Sequence, residues 1–282
     1  MKIPAKLGIG VLTSAAAGWI FVQNRWLTTD KYEVTVPGLP SAFDGAKILH
    51  LSDLHKKRYG DGFNNLLNSC RFLEPDYIFF TGDLFSRRET NVEPKIVLMQ
   101  RLMKIAPVYY VIGNHEADAP DRAAALCTAL ENEGVHVINN NTEYIVRDGQ
   151  YIKITGAVLP QSHYRNSEGG FSQRTEITPE IMNDIAGTAD RSCVNILLAH
   201  DPLPFEVYAG WGADLTFSGH VHGGVVRLPL IGGVFSPERR FLPKYSKGVY
   251  RLGTKQLVVS AGLGKFRLNN PSQIILVTLR GS

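Results

Sequence analysis

The chain has 282 residues, of which 44% are hydrophobic, so one large domain or two small ones could bury a sizeable core. Its 30 basic and 26 acidic residues leave a formal net charge of +4. This small excess argues against a dedicated nucleic-acid binder and is compatible with attraction to phosphate or anionic lipid. The three cysteines are far apart and have no Cys-x-x-Cys spacing, so buried thiols are predicted rather than disulfides or metal ligands.

The N-terminal region contains an uncharged apolar stretch from Leu7 to Val22. It is slightly short for a membrane span but can extend to Leu27, and Lys2 and Lys6 place more positive charge before it than after it. We therefore predict an uncleaved signal-anchor over residues 1–27, single-pass in the cell membrane, with the remainder of the chain outside the cytoplasm. A signal peptide cleaved near the alanines at 15–17 is the alternative.

The remaining chain is predicted as a linker and leading strand (28–46) followed by one domain (47–282). The first half of this domain alternates short apolar strands with amphipathic helices, which is typical of a mainly parallel sheet covered on both faces. The predicted strands begin at 47, 77, 108 and 135, with helices over 64–73, 94–105 and 123–132 between them. From Thr142 onwards, strands joined by tight turns predominate, and a polar loop is predicted over 163–175.

Five predicted strands end in side chains that bind metals. They are Asp53 and His55, Asp83, Asn114 (followed by His115), His200, and His220 with His222. Sites in open α/β sheets form at the carboxyl ends of strands. Two carboxylates, one amide oxygen and four imidazoles, without thiolate, suit Mn²⁺, Fe or Zn²⁺. Seven ligands are too many for one ion in an open site, so we predict two ions about 3.5–4 Å apart that share Asp83.

The same residues resemble the motif series of the calcineurin-like metallophosphoesterases, in order and from Lys47 to the C-terminus. The motifs are Asp53-Leu-His55, Gly82-Asp83, Gly113-Asn114-His115-Glu116, His200 and Gly219-His220-Val-His222. The resemblance implies an α/β fold of the four-layer αββα sandwich type, here preceded by the N-terminal helix. It also implies one metal held by Asp53, His55, Asp83 and His222, and a second held by Asp83, Asn114, His200 and His220.

The resemblance further implies hydrolysis by a metal-bound hydroxide, with His115 protonating the leaving group or stabilising the phosphoryl transition state. One position departs from the family pattern. Many members carry an aspartate three residues after the bridging one, where it orients the catalytic histidine, whereas this chain has Ser86. Glu116 or a water molecule is the predicted substitute.

Basic residues beside these motifs are predicted to contact substrate. Lys56 and Arg87 are the candidates for phosphate binding. The run Lys56–Arg58 has three open interpretations: a solvated turn, a guide for a phosphate-bearing substrate, or a contact with anionic lipid.

The anchor and the catalytic domain together are similar to the cell-envelope branch of the family, which includes phosphodiesterases and UDP-2,3-diacylglucosamine pyrophosphohydrolases. We therefore expect a two-metal enzyme, with Mn²⁺ preferred and Fe or Zn²⁺ as alternatives, that cleaves a phosphodiester or pyrophosphate bond in an envelope lipid or nucleotide-linked lipid precursor. Loops around Phe171, or between Leu228 and Phe235, are predicted to receive an acyl chain. The alternatives are a broad extracellular phosphodiesterase or nucleotidase, and a non-catalytic metal-bound scaffold. No specific nucleic-acid partner is expected, and the oligomeric state is left open.

Overall fold

The computed structural model describes Gly18, Val22 and residues 26–166, 168–228, 230–237, 241–264 and 267–282. The predicted membrane anchor therefore lies almost wholly outside the described residues. Within the described part of the chain, no helix is long and apolar enough to cross a membrane.

The first of two six-stranded sheets has the order β1-β14-β2-β3-β4-β5. Its strands are β1 (Leu27–Thr35), β2 (Lys47–Leu51), β3 (Tyr77–Thr81), β4 (Val108–Val111), β5 (His136–Val137) and β14 (Ser272–Arg280). β2 to β5 are parallel, because helices return the chain between them, whereas β14 is antiparallel to β2 and parallel to β1. The predicted alternation of strands and helices in this half is confirmed.

Helices cover the outer face of this sheet. They are α1 (Asn64–Phe72), α2 (Glu93–Met103) and α4 (Pro120–Asn132), and a single turn, α3 (Asn114–Ala117), follows β4. α2 and α4 carry proline in their first turn, where the missing N–H costs no helical hydrogen bond. Their buried side chains recur at three- and four-residue spacing, as in α2 with Leu98, Met99 and Leu102.

The second sheet has the order β12-β13-β9-β8-β7-β6. Its strands are β6 (Thr142–Arg147), β7 (Gln150–Ala157), β8 (Asn195–Ala199), β9 (Leu215–Ser218), β12 (Gly248–Leu252) and β13 (Lys255–Val259). β6 and β7 form the predicted hairpin, and both turn residues, Asp148 and Gly149, have the positive φ that two-residue hairpin turns require. The accompanying helices are α5 (Gln161–Tyr164), α6 (Pro179–Ala186) and α7 (Phe205–Trp211).

Three hydrophobic cores define the layers. One lies between the sheets, where the rings of Phe79 and Phe217 meet edge to face with centroids 5.2 Å apart. A second lies between the first sheet and α1, α2 and α4, and a third between the second sheet and α6 and α7. The resulting order is helices, sheet, sheet, helices, in agreement with the predicted αββα sandwich. The carboxyl ends of β2, β3, β4, β8 and β9 meet at one edge of it.

Three local predictions need correction. The region between Leu228 and Phe235 belongs to a hairpin of β10 (Val226–Leu228) and β11 (Gly232–Phe235) rather than to a loop. His163 lies in α5 and is buried, because its ring nitrogens find partners in Asp201 and Thr175, instead of lying in a polar loop. The cysteines are free thiols as predicted, but Cys70 alone is fully buried.

Candidate metal centre

The backbone adopts a left-handed conformation after three of the strands that carry predicted ligands, β2, β3 and β9. Asp53, His55, Asp83, His220 and His222 all have φ between 49° and 65°. This left-handed conformation costs a non-glycine residue about 1–3 kcal/mol, and surrounding structure must hold it in place. Such strain at neighbouring positions is typical of functional sites, because it aims side chains that an extended strand would direct elsewhere.

The predicted first group of ligands converges on one point. One nitrogen or oxygen atom from each of Asp53, His55, Asp83 and His222 lies within 4.8 Å of all the others. His55 Nε2 is 3.6 Å from Asp83 Oδ2, and His222 Nε2 is 3.6 Å from Asp53 Oδ1. Two ligand atoms that each lie about 2.1 Å from one cation are separated by about 3–4 Å. The group therefore has the spacing that a single divalent cation requires.

The predicted second group adjoins the first through Asp83. His200 Nε2 is 3.4 Å from Asp83 Oδ2, and His220 Nδ1 is 3.1 Å from Asn114 Oδ1. The other carboxylate oxygen, Asp83 Oδ1, accepts a hydrogen bond from the His115 backbone N–H at 2.9 Å. Oδ2 of Asp83 thus faces imidazoles of both groups, which is the position that a bridging ligand needs.

The hydrogen bonds of His200 test whether it fits a metal. Its Nδ1 lies 2.6 Å from the Thr81 carbonyl oxygen, which can only accept, so Nδ1 carries the proton of the neutral ring. The lone pair is then on Nε2, which is buried and has no hydrogen-bond partner among the described residues. A backbone acceptor on one nitrogen and a free lone pair on the other is the usual arrangement of a metal-binding histidine.

The electrostatics of the cluster favour a cation. Burial raises the pKa of Asp53, whereas His115 and His200 overcome the effect of burial on Asp83 and hold its pKa well below its usual range. Burial would lower the pKa of His200, but the nearby carboxylates raise it to about 10, so a metal ion that binds Nε2 must displace a proton from this ring. Burial lowers the pKa of His55 to about 3, so that ring is neutral and can ligate.

His115 lies at the edge of this cluster, with Nε2 3.9 Å from Asp83 Oδ2. Its Nδ1 accepts a hydrogen bond from the Arg87 backbone N–H at 3.3 Å, so the neutral ring carries its proton on Nε2. Burial lowers the pKa of His115, against an opposing effect of Asp83. The ring of His115 is therefore held by a backbone amide from the residue that follows Ser86.

Glu116 does not orient His115, which corrects the sequence-based prediction. Its buried carboxylate accepts backbone hydrogen bonds from Asp83 at 2.8 Å, Gly113 at 2.9 Å and Phe85 at 3.0 Å. It thereby fixes the strand ends that carry Asp83 and Asn114. The motif Gly-Asn-His-Glu contained this residue, but its partners are backbone groups, which leave no signal in the sequence.

The basic residues differ from one another in their surroundings. Lys57 is buried and donates a hydrogen bond to Ser272. It is therefore neither solvated nor available to lipid, which excludes for this residue two of the three interpretations of Lys56–Arg58. Lys56 lines the cleft beside His115. The guanidinium of Arg87 lies 2.8 Å from Asp118 in an ion pair. Their binding of substrate remains a prediction.

Sequence reasoning missed two buried groups around the cluster. Arg267 lies with Nη2 3.2 Å from Nδ1 of His222, and Asp201 lies 2.9 Å from His163 Nε2. Asp201 follows a predicted ligand directly, and this adjacency was the available signal. Arg267 comes from a distant part of the chain, and nothing in its local sequence distinguishes it.

The cleft above the cluster has two lobes that meet at His115 and His222. The apolar lobe, of about 320 Å³, is named for the carbon atoms that form most of its surface. It is also lined by His55, Lys56, Lys57 and Ser86, and by Val225 and Pro237, which flank the β10–β11 hairpin. The arginine lobe, of about 360 Å³, also contains Asp83, Asn114 and His220, and is bounded by Arg87, Arg88, Arg165, Tyr164 and Phe171.

Comparison with known proteins identifies the family. The family model for calcineurin-like phosphoesterases matches residues 46–224, which contain every predicted ligand. The chain belongs to the calcineurin-like phosphoesterase family. It is accordingly a metal-dependent phosphoesterase, and Asp53, His55, Asp83 and His222 form a candidate metal site within the matched residues.

Relatives in bacteria match most of the chain. The metallophosphoesterase YkuE of Bacillus subtilis is 27% identical over 93% of this chain and 88% of its own length. The phosphodiesterase YaeI of Escherichia coli is 25% identical over 83% of this chain and 82% of its own length. Among solved structures, a dimetal phosphatase from Danio rerio aligns over 78% of this chain and 88% of its own, with 11% identity and a TM-score of 0.45.

Proposed function

We propose that this phosphoesterase hydrolyses a phosphodiester or pyrophosphate bond in a substrate with an apolar portion, such as an envelope lipid or a nucleotide-linked lipid precursor of the UDP-2,3-diacylglucosamine type. The observation that carries this proposal is the apolar lobe, which opens directly from His115 and His222. The name of the relative YaeI supports a diester in preference to a monoester.

The proposed ligands divide into two sets that share Asp83. Asp53, His55 and His222 complete the first set. The second set comprises Asn114, His200 and His220. Oxygen and imidazole ligands without thiolate favour Mn²⁺, with Fe and Zn²⁺ as alternatives. When bound, two divalent cations polarise the phosphoryl oxygens and lower the pKa of water.

His115 is the proposed proton donor to the leaving group. The hydrogen bond from the Arg87 backbone N–H fixes its ring with the Nε2 proton directed into the cleft. Asp83 holds the His115 backbone through Oδ1, so the position of the donor is tied to that of the bridging carboxylate. In the neutral ring the Nε2–H can donate a hydrogen bond to the leaving oxygen, and proton transfer proceeds from the imidazolium form, in which Nδ1 takes up a proton and gives up the hydrogen bond from Arg87.

The hairpin beside the apolar lobe supports an apolar substrate. Leu230, Ile231 and Phe241 are 107%, 60% and 72% exposed, although they are large hydrophobic side chains. Large apolar side chains that are exposed on this hairpin, and at Phe241, which pairs with its Phe235, support contact with lipid or with another apolar ligand. Together with the apolar stretch before Trp26, which is itself 56% exposed, they support association of the chain with a membrane.

Hydrolysis by the full chain in detergent tests this function. The protein is stripped of metal, reloaded with Mn²⁺ and assayed with methyl and octyl p-nitrophenyl phosphate, beside the monoester p-nitrophenyl phosphate. We expect metal-dependent turnover of both diesters and a kcat/KM at least tenfold higher for the octyl ester, because each buried methylene contributes about 0.8 kcal/mol. An equal kcat/KM for both diesters would contradict the proposal that the substrate has an apolar portion. A higher kcat/KM for the monoester would contradict the assignment as a phosphodiesterase.

A further inference from the structure

The arginine lobe carries more positive charge than is needed to bind the phosphoryl group at the metal centre. Among the described residues that line it, Asp83 is the sole carboxylate, and Asp83 belongs to the proposed ligands. Three arginines line the same space, and only Arg87 has an ion pair, with Asp118. Within the described ranges, the guanidinium groups of Arg88 and Arg165 form no hydrogen bond or ion pair.

Different contacts position Arg88 and Arg165 at the lobe. Arg165 follows Tyr164, whose buried ring packs against the ring of His220 with centroids 5.1 Å apart. Arg165 also lies over the ring of Phe171 at 6.0 Å, a contact that leaves the edge of the guanidinium free to donate hydrogen bonds. The backbone of Arg165 is therefore held next to His220, a member of the second group of proposed ligands.

Arg88 reaches the lobe from a different segment of the chain, the loop after β3. It follows Arg87, whose backbone N–H donates to His115 and whose side chain binds Asp118. Asp118 also accepts a hydrogen bond from Gln161, at the start of the helix that leads to Arg165. One carboxylate thus connects the two segments that carry Arg88 and Arg165.

From this geometry we infer that Arg88 and Arg165 bind a second phosphate group of the substrate, adjacent to the phosphoryl group that is hydrolysed. This inference rests on the proposed function and makes it more specific. The substrate class becomes a diphosphate diester, or a phosphodiester that carries a further phosphate. Its anionic portion lies in the arginine lobe and its apolar portion in the other. Guanidinium groups suit this role because they donate paired hydrogen bonds to phosphate oxygens.

A matched pair of substrates tests the inference. Ethyl p-nitrophenyl phosphate and 2-phosphonooxyethyl p-nitrophenyl phosphate share one leaving group and differ only in the added phosphate. In the Mn²⁺-loaded full chain, we expect kcat/KM to be at least tenfold higher for the phosphorylated ester. This ratio should fall towards one in the double variant Arg88→Ala/Arg165→Ala and should be partly kept in Arg88→Lys/Arg165→Lys. Arg251→Ala, which removes one exposed arginine from β12, should keep the full ratio.

The outcomes separate the inference from the proposed function. Metal-dependent turnover of both esters with a ratio near one in the unaltered protein, or a ratio that the double alanine variant keeps, would overturn the second phosphate site and leave the phosphodiesterase intact. Absence of turnover of both esters would instead contradict the proposed function.

Binding provides a readout that does not depend on turnover. Calorimetric titration of the metal-stripped full chain with inorganic pyrophosphate should show at least tenfold weaker binding by the double alanine variant than by the unaltered protein. Binding should weaken as salt is added, because the contacts are charged and partly exposed. Equal affinity in both proteins would overturn the inference even if hydrolysis had not been detected.

Discussion

The floor and the rim of the cleft are built in opposite ways. The floor consists of strand ends from both sheets, where Asp53, Asp83 and His200 are fully buried and hydrogen-bonded to backbone groups. The rim consists of the loop at Ser86–Arg88, the segment after α5 and the β10–β11 hairpin, and much of it is exposed. Rigid strand ends position groups for chemistry, whereas loops vary to select substrates. We therefore propose that the reaction and the substrate preference of this enzyme depend on separate parts of the chain.

The largest expected effect follows from changing the shared carboxylate of the floor. Asp83→Asn should lower kcat/KM for a diester by at least about 10³-fold, because an amide is a weaker ligand for both proposed cations. Metal analysis of the purified variant should show loss of bound metal. The exposed Asp184→Asn, which makes the same chemical change in α6, serves as the control. Normal metal content and activity in the Asp83 variant would contradict the bridging role.

His115 lies where floor and rim meet, and its replacement should come next. His115→Gln should lower kcat by about 10²–10³-fold, the range for loss of a general acid. The loss should be greater for an alkyl leaving group than for p-nitrophenolate, which departs without protonation. Measuring both esters in the variant checks this difference. An equal loss with both would assign His115 to positioning or to transition-state charge instead.

A glycine beneath the floor should have a somewhat smaller effect. A Cβ at position 219 would overlap Ser52 Oγ and Asp53 Oδ2, so Gly219→Ala must displace a proposed ligand. We expect about a 100-fold loss of kcat/KM, the scale of a misplacement of about 1 Å. Gly210→Ala is a matched control, because its Cβ would have no neighbour within 4 Å. Full activity of the Gly219 variant would show that Ser52 and Asp53 can shift to accommodate the added Cβ without disturbing the site.

On the rim, the effects should be confined to substrate preference. Val225→Ser places a hydroxyl in the apolar lobe and should reduce the preference for octyl over methyl p-nitrophenyl phosphate about fivefold, while metal content stays unchanged. Val146→Ser, at a side chain that is 65% exposed on β6, provides the control. A loss of metal from the Val225 variant would show that rim and floor are not independent.

The smallest expected effect is on the pH dependence of the free energy of unfolding, through His50 in β2. Burial lowers the pKa of His50 to about 3 from an ordinary value of 6.5. Between these values the unfolded chain binds a proton that the folded chain does not, so the free energy of unfolding falls as pH falls. His50→Gln should reduce this slope by up to about 1.4 kcal/mol per pH unit below pH 6.5. Urea unfolding at pH 7, 6 and 5 measures it, and identical slopes would contradict the assignment.

The sequence could predict features that depend on local patterns, but not those that depend on contacts between distant segments. Apolar runs that end in Asp, Asn or His located the proposed ligands, because strand burial and period are local properties of the chain. The left-handed conformations after the strands, and the three backbone amides that bind Glu116, depend on neighbouring strands brought together by folding. The hydrogen bond from Arg87 to His115 and the link from Asp118 to Gln161 are likewise contacts between segments, and no local pattern announces them.

Titration of the metal-stripped full chain with Mn²⁺ tests the central claim most directly. Bound metal and hydrolysis of methyl p-nitrophenyl phosphate are measured on the same samples. If two groups of ligands share Asp83, binding should saturate at two ions per chain, and hydrolysis should reach its maximum only as the second ion binds. Saturation of both at one ion, or full hydrolysis by the metal-stripped protein, would contradict the two-ion centre.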